Sequence, residues 1–275
     1  MSNKFKWGII GLGNIATRFA EDLSFIDNAS VYAVASRSSQ KAKGFGAKFG
    51  AEQCFGDYDS FINDADIDAV YIALPHPMHH EFTLRLLDRG VPVLCEKPIA
   101  MNAIQAKQMF DKAKQKNTFL MEAMWMRHFP LMHELRNLLK KGSLGDIQTL
   151  RASFGFRAEF NPPSRLFDPA LGGGALLDVG IYPLSAASMI LGKPNRISSM
   201  ANIGKTDVDE ENSIILGYKN GAIATLCSSI QSLHSSDLFI RGTNGSIRVE
   251  GQFWQPRKME IEIDGKTQIK EFNVE

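Results

Sequence analysis

The chain has 275 residues, 44% hydrophobic and 22% charged, and its 31 Lys and Arg against 30 Asp and Glu leave a formal net charge of +1. That length holds about two domains of the usual size, roughly 100–200 residues each, and the composition predicts packed cores and not global disorder. Near-neutrality supplies neither the broad basic field of a nucleic-acid binder nor a polybasic membrane anchor.

The three scattered cysteines, Cys54, Cys95 and Cys227, predict a reducing, cytoplasmic setting without a disulfide framework, and no metal site is expected. Cys95 lies in an apolar run and reads as core. Residues 5–16 are apolar but contain three glycines, unlike a signal peptide. No run reads as the ~18 apolar residues of a membrane span.

In chain order, residues 5–10, 31–36, 69–74, 91–95 and 119–123 are strand-like runs separated by helical patterns, which predicts parallel strands joined by crossover helices. Asn102 is a plausible helix cap, with Ala103, Ala106, Phe110 and Ala113 falling on one face. The runs ending at Leu74 and Cys95 are apolar almost throughout, as buried parallel strands should be. Beyond Trp125 the composition changes. Residues 130–141 read as a helix stopped by Gly142, with a turn at Gly145-Asp146. Strand-like stretches follow at 147–156, 212–218, 222–229, 237–242 and 246–250. The turns Lys219-Asn220-Gly221 and Thr243-Asn244-Gly245 separate the last four, predicting an antiparallel meander interrupted by a helical insertion at 174–191. The fold class that follows is an α/β N-terminal Rossmann domain (1–123) with a mostly parallel, doubly wound sheet. A C-terminal α+β domain (124–275) with an open, largely antiparallel sheet completes it.

Gly11-Leu12-Gly13-Asn14-Ile15-Ala16 follows the first strand and opens a helix. Glycines there permit a tight turn and close backbone approach to a pyrophosphate, with Ala16 small where helix and strand pack. The helix-start N–H groups favour the anion. After the second strand, Ser36-Arg37-Ser38 offers no acid for a ribose 2′-hydroxyl. Arg37 fits a 2′-phosphate, with both serine hydroxyls as added donors; an ordinary surface arginine is the other reading. Leu74 and Pro75 end the next long strand, where ligands bind in open α/β sheets. The histidines that follow fit helix-start and cofactor contacts, His79 among them, better than a metal, because His79 and His80 are adjacent and no carboxylate or cysteine cluster completes a site. Glu96 and Lys97 emerge at another strand end; Lys97 can polarise a substrate hydroxyl, or the two can form a structural pair. The run Gly172-Gly173-Gly174 leads to Asp178 and Tyr182, four apart on a helix and therefore on one face, or merely structural. Pro183 leaves the Val179 carbonyl without its helical partner, so a kink is expected. Phe154, Phe156, Arg157 and Trp254 are candidate pocket residues, or core.

Together the glycine turn, Glu96-Lys97-Pro98 and the glycine-rich run to Asp178 resemble the glucose–fructose oxidoreductase / inositol dehydrogenase (Gfo/Idh/MocA) family over essentially the whole chain. Many members carry His four residues after the Asp, where this chain has Tyr182. With residues 122–127 and Phe253-Trp254-Gln255-Pro256, this is similar to the branch of dimeric dihydrodiol dehydrogenase and NADP-dependent D-xylose dehydrogenase. The resemblance implies reversible hydride transfer between NADP and the carbinol of a sugar, polyol or cyclic diol, with NAD a weaker cofactor. It assigns Lys97 and Tyr182 to catalysis with Asp178 in support, and adds Trp125 and Arg127 to the cofactor contacts. It implies a homodimer made face to face through the second sheet. Family chains usually run on beyond the point of Glu275, so a further stretch would normally help finish the second domain and its pocket. A non-catalytic NAD(P)-binding regulator of the same fold is the competing expectation, against which Lys97, Asp178 and Tyr182 are all retained.

Overall fold

The computed structural model describes residues 4–273, and the chain divides into two units, Met1–Ala123 and Met124–Glu275. The first alternates β1 (Phe5–Ile10), α1 (Asn14–Leu23), β2 (Ala29–Ala35), α2 (Ser39–Phe49), β3 (Gln53–Phe55), α3 (Tyr58–Asp64), β4 (Ala69–Ile72), α4 (His76–Asp88), β5 (Val93–Cys95), α5 (Ala103–Lys116) and β6 (Leu120–Glu122). Its six strands run in the order β3-β2-β1-β4-β5-β6, every pair parallel. Asn102 accepts the Gln105 N–H at 3.0 Å and so caps α5. Helices cover both faces, so Ile9, Ile10, Val34, Val70 and Ile72 are fully buried and the strands read as unbroken apolar runs. Cys95 is buried among them and its thiol is pushed far up by that burial. Successive strands go one way from β1 to β2 and the other way from β1 to β4. The strand order therefore reverses at the carboxyl ends of β1 and β4, where ligands bind in such sheets. β3 and α3 are absent from the sequence reading because three and seven residues are too short to show a period.

The second unit opens with a 3-10 turn, Trp125–His128, then α6 (Pro130–Lys140) and β7 (Ile147–Gly155). A 3-10 turn (Pro169–Leu171), a π-helical turn (Leu176–Gly180) and α7 (Ile181–Leu191) follow. The remaining strands are β8 (Arg196–Ile203), β9 (Asp209–Gly217), β10 (Ile223–Ser229), β11 (Leu238–Gly242), β12 (Gly245–Val249), β13 (Lys258–Ile263) and β14 (Lys266–Glu271). They form one eight-stranded sheet, β14-β13-β12-β11-β7-β10-β9-β8. The expected single meander is corrected here: the β9–β10 and β11–β12 hairpins form, but β7 lies between β10 and β11, parallel to the former. Two antiparallel ribbons thus flank a strand contributed from far upstream.

The 169–191 stretch corrects a second expectation. Pro169–Leu191 is long and apolar enough, by length and composition, to cross a membrane, yet 56% of its apolar window is buried within the protein. α7 packs on β7 and β10, and Tyr182, Ala186 and Ala187 share one core with Leu150, Ala152, Ala224 and Leu226. On the other face of the sheet, Ile215 is 51% and Ile223 49% exposed.

Candidate functional site

In the first unit the chain leaves β1 through Gly11, whose φ of +88° is left-handed and whose Cβ, if it had one, would lie 2.7 Å from the Ala73 carbonyl oxygen. Only glycine makes that turn. Gly13 caps α1 with no side-chain hydrogen bond and no acid in the first turn. A Cβ on Gly13 would meet no protein atom within 4 Å. The protein's own packing therefore does not demand glycine here; open space over the first-turn N–H groups is what it preserves. Leu12 and Ala16 are buried, and Asn14 and Ile15 face outward. Unpaired amides, the positive helix end and a cleared approach fit the pyrophosphate of a dinucleotide.

At the end of β2, the Ser36 hydroxyl accepts the Ser38 N–H at 3.3 Å, and the Ser38 hydroxyl caps α2 by accepting the Lys41 N–H, also at 3.3 Å. Each keeps its own hydrogen to donate. Arg37 between them is exposed, and no described residue pairs with its guanidinium. An exposed cation between two oriented hydroxyls suits a phosphate better than a ribose diol.

Beneath the strand ends, His79 is fully buried, with Nε2 2.8 Å from the Leu74 carbonyl and Nδ1 2.9 Å from that of Pro98. Burial first, and then the charge of Lys97, hold its pKa below the usual imidazole value. The neutral ring can donate to one carbonyl only. His79 thus braces the loop after β4 against the loop after β5 from below. Pro75 stands at the start of α4. Glu96 is also buried: one carboxylate oxygen accepts from the Tyr71 hydroxyl and the other from the Lys97 backbone N–H at 3.1 Å. Burial raises its pKa, against the pull of Tyr71 and Lys97. Glu122 holds the next turn by accepting the Ile99 N–H at 2.9 Å. Through these bonds Glu96 brackets the loop that presents Lys97.

The second unit assembles around Tyr182, 6% exposed. Trp125 Nε1 donates to the Tyr182 hydroxyl at 2.9 Å. Phe154 and Trp254 stack at 3.4 Å with 4° between their planes, and lie 5.5 and 6.2 Å from the Tyr182 ring. The sequence-predicted aromatics and the phenol are therefore brought together. Arg127 spends Nε and Nη2 on the Ser185 hydroxyl and carbonyl, at 2.8 and 3.1 Å, tying the Trp125 turn to α7. The distortion expected near Pro183 takes the form of a π-helical turn at Leu176–Gly180, one turn earlier. π-helical turns are rare, occur mostly as single turns inside helices, and are frequent at functional sites.

Asp178 sits in that turn, buried, and binds Arg165 through Oδ1 at 2.6 Å and Oδ2 at 3.5 Å. Asp209 accepts the Leu176 N–H at 2.8 Å and the Asn212 amide at 2.7 Å, and Ser228 donates to Asn212 at 2.8 Å. This relay seats the start of the turn on the sheet, and burial pushes the Asp209 carboxyl up. Arg165, Asp209, Asn212 and Ser228 escape sequence reasoning. Only the short spacing of Asp209 and Asn212, three apart, was a signal.

A glycine turn at the switch point of a parallel sheet, a lysine at a strand end, and a caged tyrosine on a distorted helix define a nicotinamide-dinucleotide oxidoreductase. Residues 5–124 match the profile described as "Oxidoreductase family, NAD-binding Rossmann fold", and residues 132–248 match the GFO/IDH/MocA C-terminal domain. The chain belongs to the GFO/IDH/MocA oxidoreductase family. It is similar to the trans-1,2-dihydrobenzene-1,2-diol dehydrogenase of Xenopus tropicalis, 37% identical over 265 residues, or 95% of this chain and 79% of that one. The human enzyme of the same name is 34% identical with the same coverage. Among solved structures, a 3-ketoreductase from Actinomadura kijaniata in complex with NADP and TDP-benzene superposes with a TM-score of 0.88 at 28% identity, covering 98% of this chain and 84% of that one. The aldose–aldose oxidoreductase of Caulobacter crescentus, complexed with glycerol, gives a TM-score of 0.90 at 26% identity, covering 99% and 85%.

Proposed function

We propose that this oxidoreductase uses NADP(H) to interconvert the carbinol and carbonyl of a sugar, polyol or cyclic diol, with Tyr182 moving the hydroxyl proton. The observation that carries the reading is the Trp125 N–H on the buried Tyr182 oxygen. The indole donor on that oxygen favours the phenolate, the form that takes up a substrate proton. When bound, the nicotinamide supplies the acceptor or donor of the hydride. An ordinary phenol with a pKa of ~10 is a poor base at neutral pH, and Lys97 is proposed as the second catalytic residue, the cation that the resemblance assigns to the reaction. Asp178, fixed by Arg165, orients rather than takes the proton. Phe154 and Trp254 line the carbon face of the substrate.

Preference for NADP is supported by the exposed Arg37, by the missing acid after β2, and by the NADP bound in the Actinomadura 3-ketoreductase. Pairing of two copies through the open sheet face is supported by Ile215 and Ile223 on that face. Free thiols at Cys54, Cys95 and Cys227 support a reducing, cytoplasmic setting. The test is a panel of aldoses, polyols and trans-dihydrodiols assayed by the absorbance of reduced nicotinamide. NADP-dependent turnover of at least one member is expected; cofactor binding with no turnover across the panel would replace the enzyme by a dinucleotide sensor.

A further inference from the structure

The second unit contains an open cavity of about 520 Å³ that none of the residues assigned above lines. Its volume lies within the roughly 300–1,000 Å³ of small-ligand pockets. It forms where β8 and β9 lose register. Asn202 pairs with Glu211 and Ile203 with Asp209, so Glu210 is the extra residue of a bulge, a device that re-aims a side chain. Glu210 is only 5% exposed. Its Oε2 accepts from Gln231 Nε2, and Gln231 Oε1 in turn faces Asn202 Nδ2 at 3.5 Å. Its Oε1 lies over Gly204, where any Cβ would collide with it, and no described residue donates a hydrogen bond to it. As a lining residue of the cavity, Glu210 can accept a hydrogen bond there through its carboxylate.

Across the opening stands Phe160, 46% exposed and held edge-on by Phe167 at 5.1 Å. The Lys205 ammonium lies 5.9 Å from the Phe160 ring centre. The lining thus holds one carboxylate, one ammonium, two amides and an aromatic ring. Its charges cancel, which disfavours an ionic ligand, and a single carboxylate is too few for a metal. Interleaved donors and acceptors suit hydroxyl groups, each of which donates and accepts. The ring offers an apolar surface for the C–H face of a pyranose.

We propose that this cavity is a second carbohydrate site, binding one pyranose ring with its hydroxyls on Glu210 and its carbon face on Phe160. The inference does not depend on the substrate proposed above. The ring could enter as the remote unit of a longer substrate or as a free sugar, and the assay arms separate these. Saturation-transfer NMR and calorimetry on the full chain, with methyl β-D-glucopyranoside, methyl β-D-xylopyranoside and cellobiose as probes, should detect binding at millimolar concentration. Phe160→Ala and Glu210→Gln should each weaken it by about tenfold or more, whereas Tyr182→Phe should leave it unchanged. Phe160 is half exposed and Gln is isosteric with Glu, so neither change empties the core. Binding of cellobiose much tighter than of either monosaccharide, with its KM as a substrate raised by Phe160→Ala, identifies a remote substrate unit. Equal binding of the monosaccharides, undisturbed by saturating substrate, identifies a free sugar. Absence of binding by all three probes, or binding that survives both substitutions, overturns the proposal whether or not the protein turns over sugars.

Discussion

Replacing Trp125 by Phe isolates the hydrogen bond on which the proton-transfer account depends. Phenylalanine keeps an aromatic ring beside Phe129, which lies 5.7 Å from the Trp125 ring, and removes the indole N–H together with part of the ring's area. That N–H reaches the Tyr182 oxygen at 2.9 Å in a site where the tyrosine is 6% exposed, so water does not readily replace it. A neutral hydrogen bond contributes about 0.5–1.5 kcal/mol and one to a charged group about 1.5–3 kcal/mol. The difference, about 1 kcal/mol or somewhat more, is the extent to which Trp125 favours the phenolate over the phenol. Turnover in the oxidation direction should therefore fall by about five- to tenfold in Trp125→Phe, with the dissociation constant for NADP unchanged. Steady-state kinetics at saturating cofactor, with NADP titrated separately by fluorescence, provides both values. Turnover within a factor of two of wild type would show that the indole N–H has no part in activating Tyr182. A parallel loss of cofactor affinity would show that Trp125 acts mainly as the cofactor contact that the family resemblance implies.

Arg37→Ala should weaken NADP by about ten- to a hundredfold through loss of a charged hydrogen bond and barely affect NAD; equal losses would remove the 2′-phosphate from the account. His79 is held neutral by burial, with a pKa below that of the unfolded chain. The unfolded state therefore takes up the proton first, and stability falls as pH drops below about 6.5, the ordinary imidazole value. Denaturant midpoints measured from about pH 7.5 down to pH 5 should show a decline that is shallower in His79→Gln; parallel curves for the two proteins would rule the histidine out. Ile215→Lys together with Ile223→Lys should yield a monomeric mass by light scattering where the unmodified chain gives a dimer, and an unmodified chain that is itself monomeric would remove the sheet-face pairing.

What the sequence conveys follows from how locally each feature is encoded. The glycine turn, the capping Asn102 and the apolar runs of β1, β2 and β4 are readable because their causes lie within a few residues. β8 is not, because all eight of its residues are exposed and show no alternation. β14 is mostly exposed and concealed in the same way, whereas β13 carries an alternation of Met259, Ile261 and Ile263 that the sequence reading omits. The place of β7 between two hairpins depends on a pairing between segments some seventy residues apart, which no turn signal records. The same holds within the site. Tyr182 and Asp178 are legible from their spacing and the glycines before them. Arg165 is not, because it reaches Asp178 from an irregular loop whose path no periodicity describes. Trp125 and Arg127 stand out as an unusual cluster, but that they bond to Tyr182 and Ser185 on α7 emerges only from packing. Pro183 announces a lost hydrogen bond, but the π-helical turn at Leu176–Gly180 is not legible from the sequence.

The central claim is that Tyr182 moves the substrate proton, and the turnover of Tyr182→Phe tests it most directly, because that change removes one oxygen from a cage otherwise left intact. With the best substrate of the panel and saturating NADP, turnover should drop by about 10²- to 10⁴-fold, the usual contribution of a general acid–base group, while NADP affinity stays within about twofold. Lys97→Met should lose at least as much. A Tyr182→Phe enzyme that keeps more than about a third of wild-type turnover would contradict the account, because no acid–base role of the usual size is compatible with so small a loss.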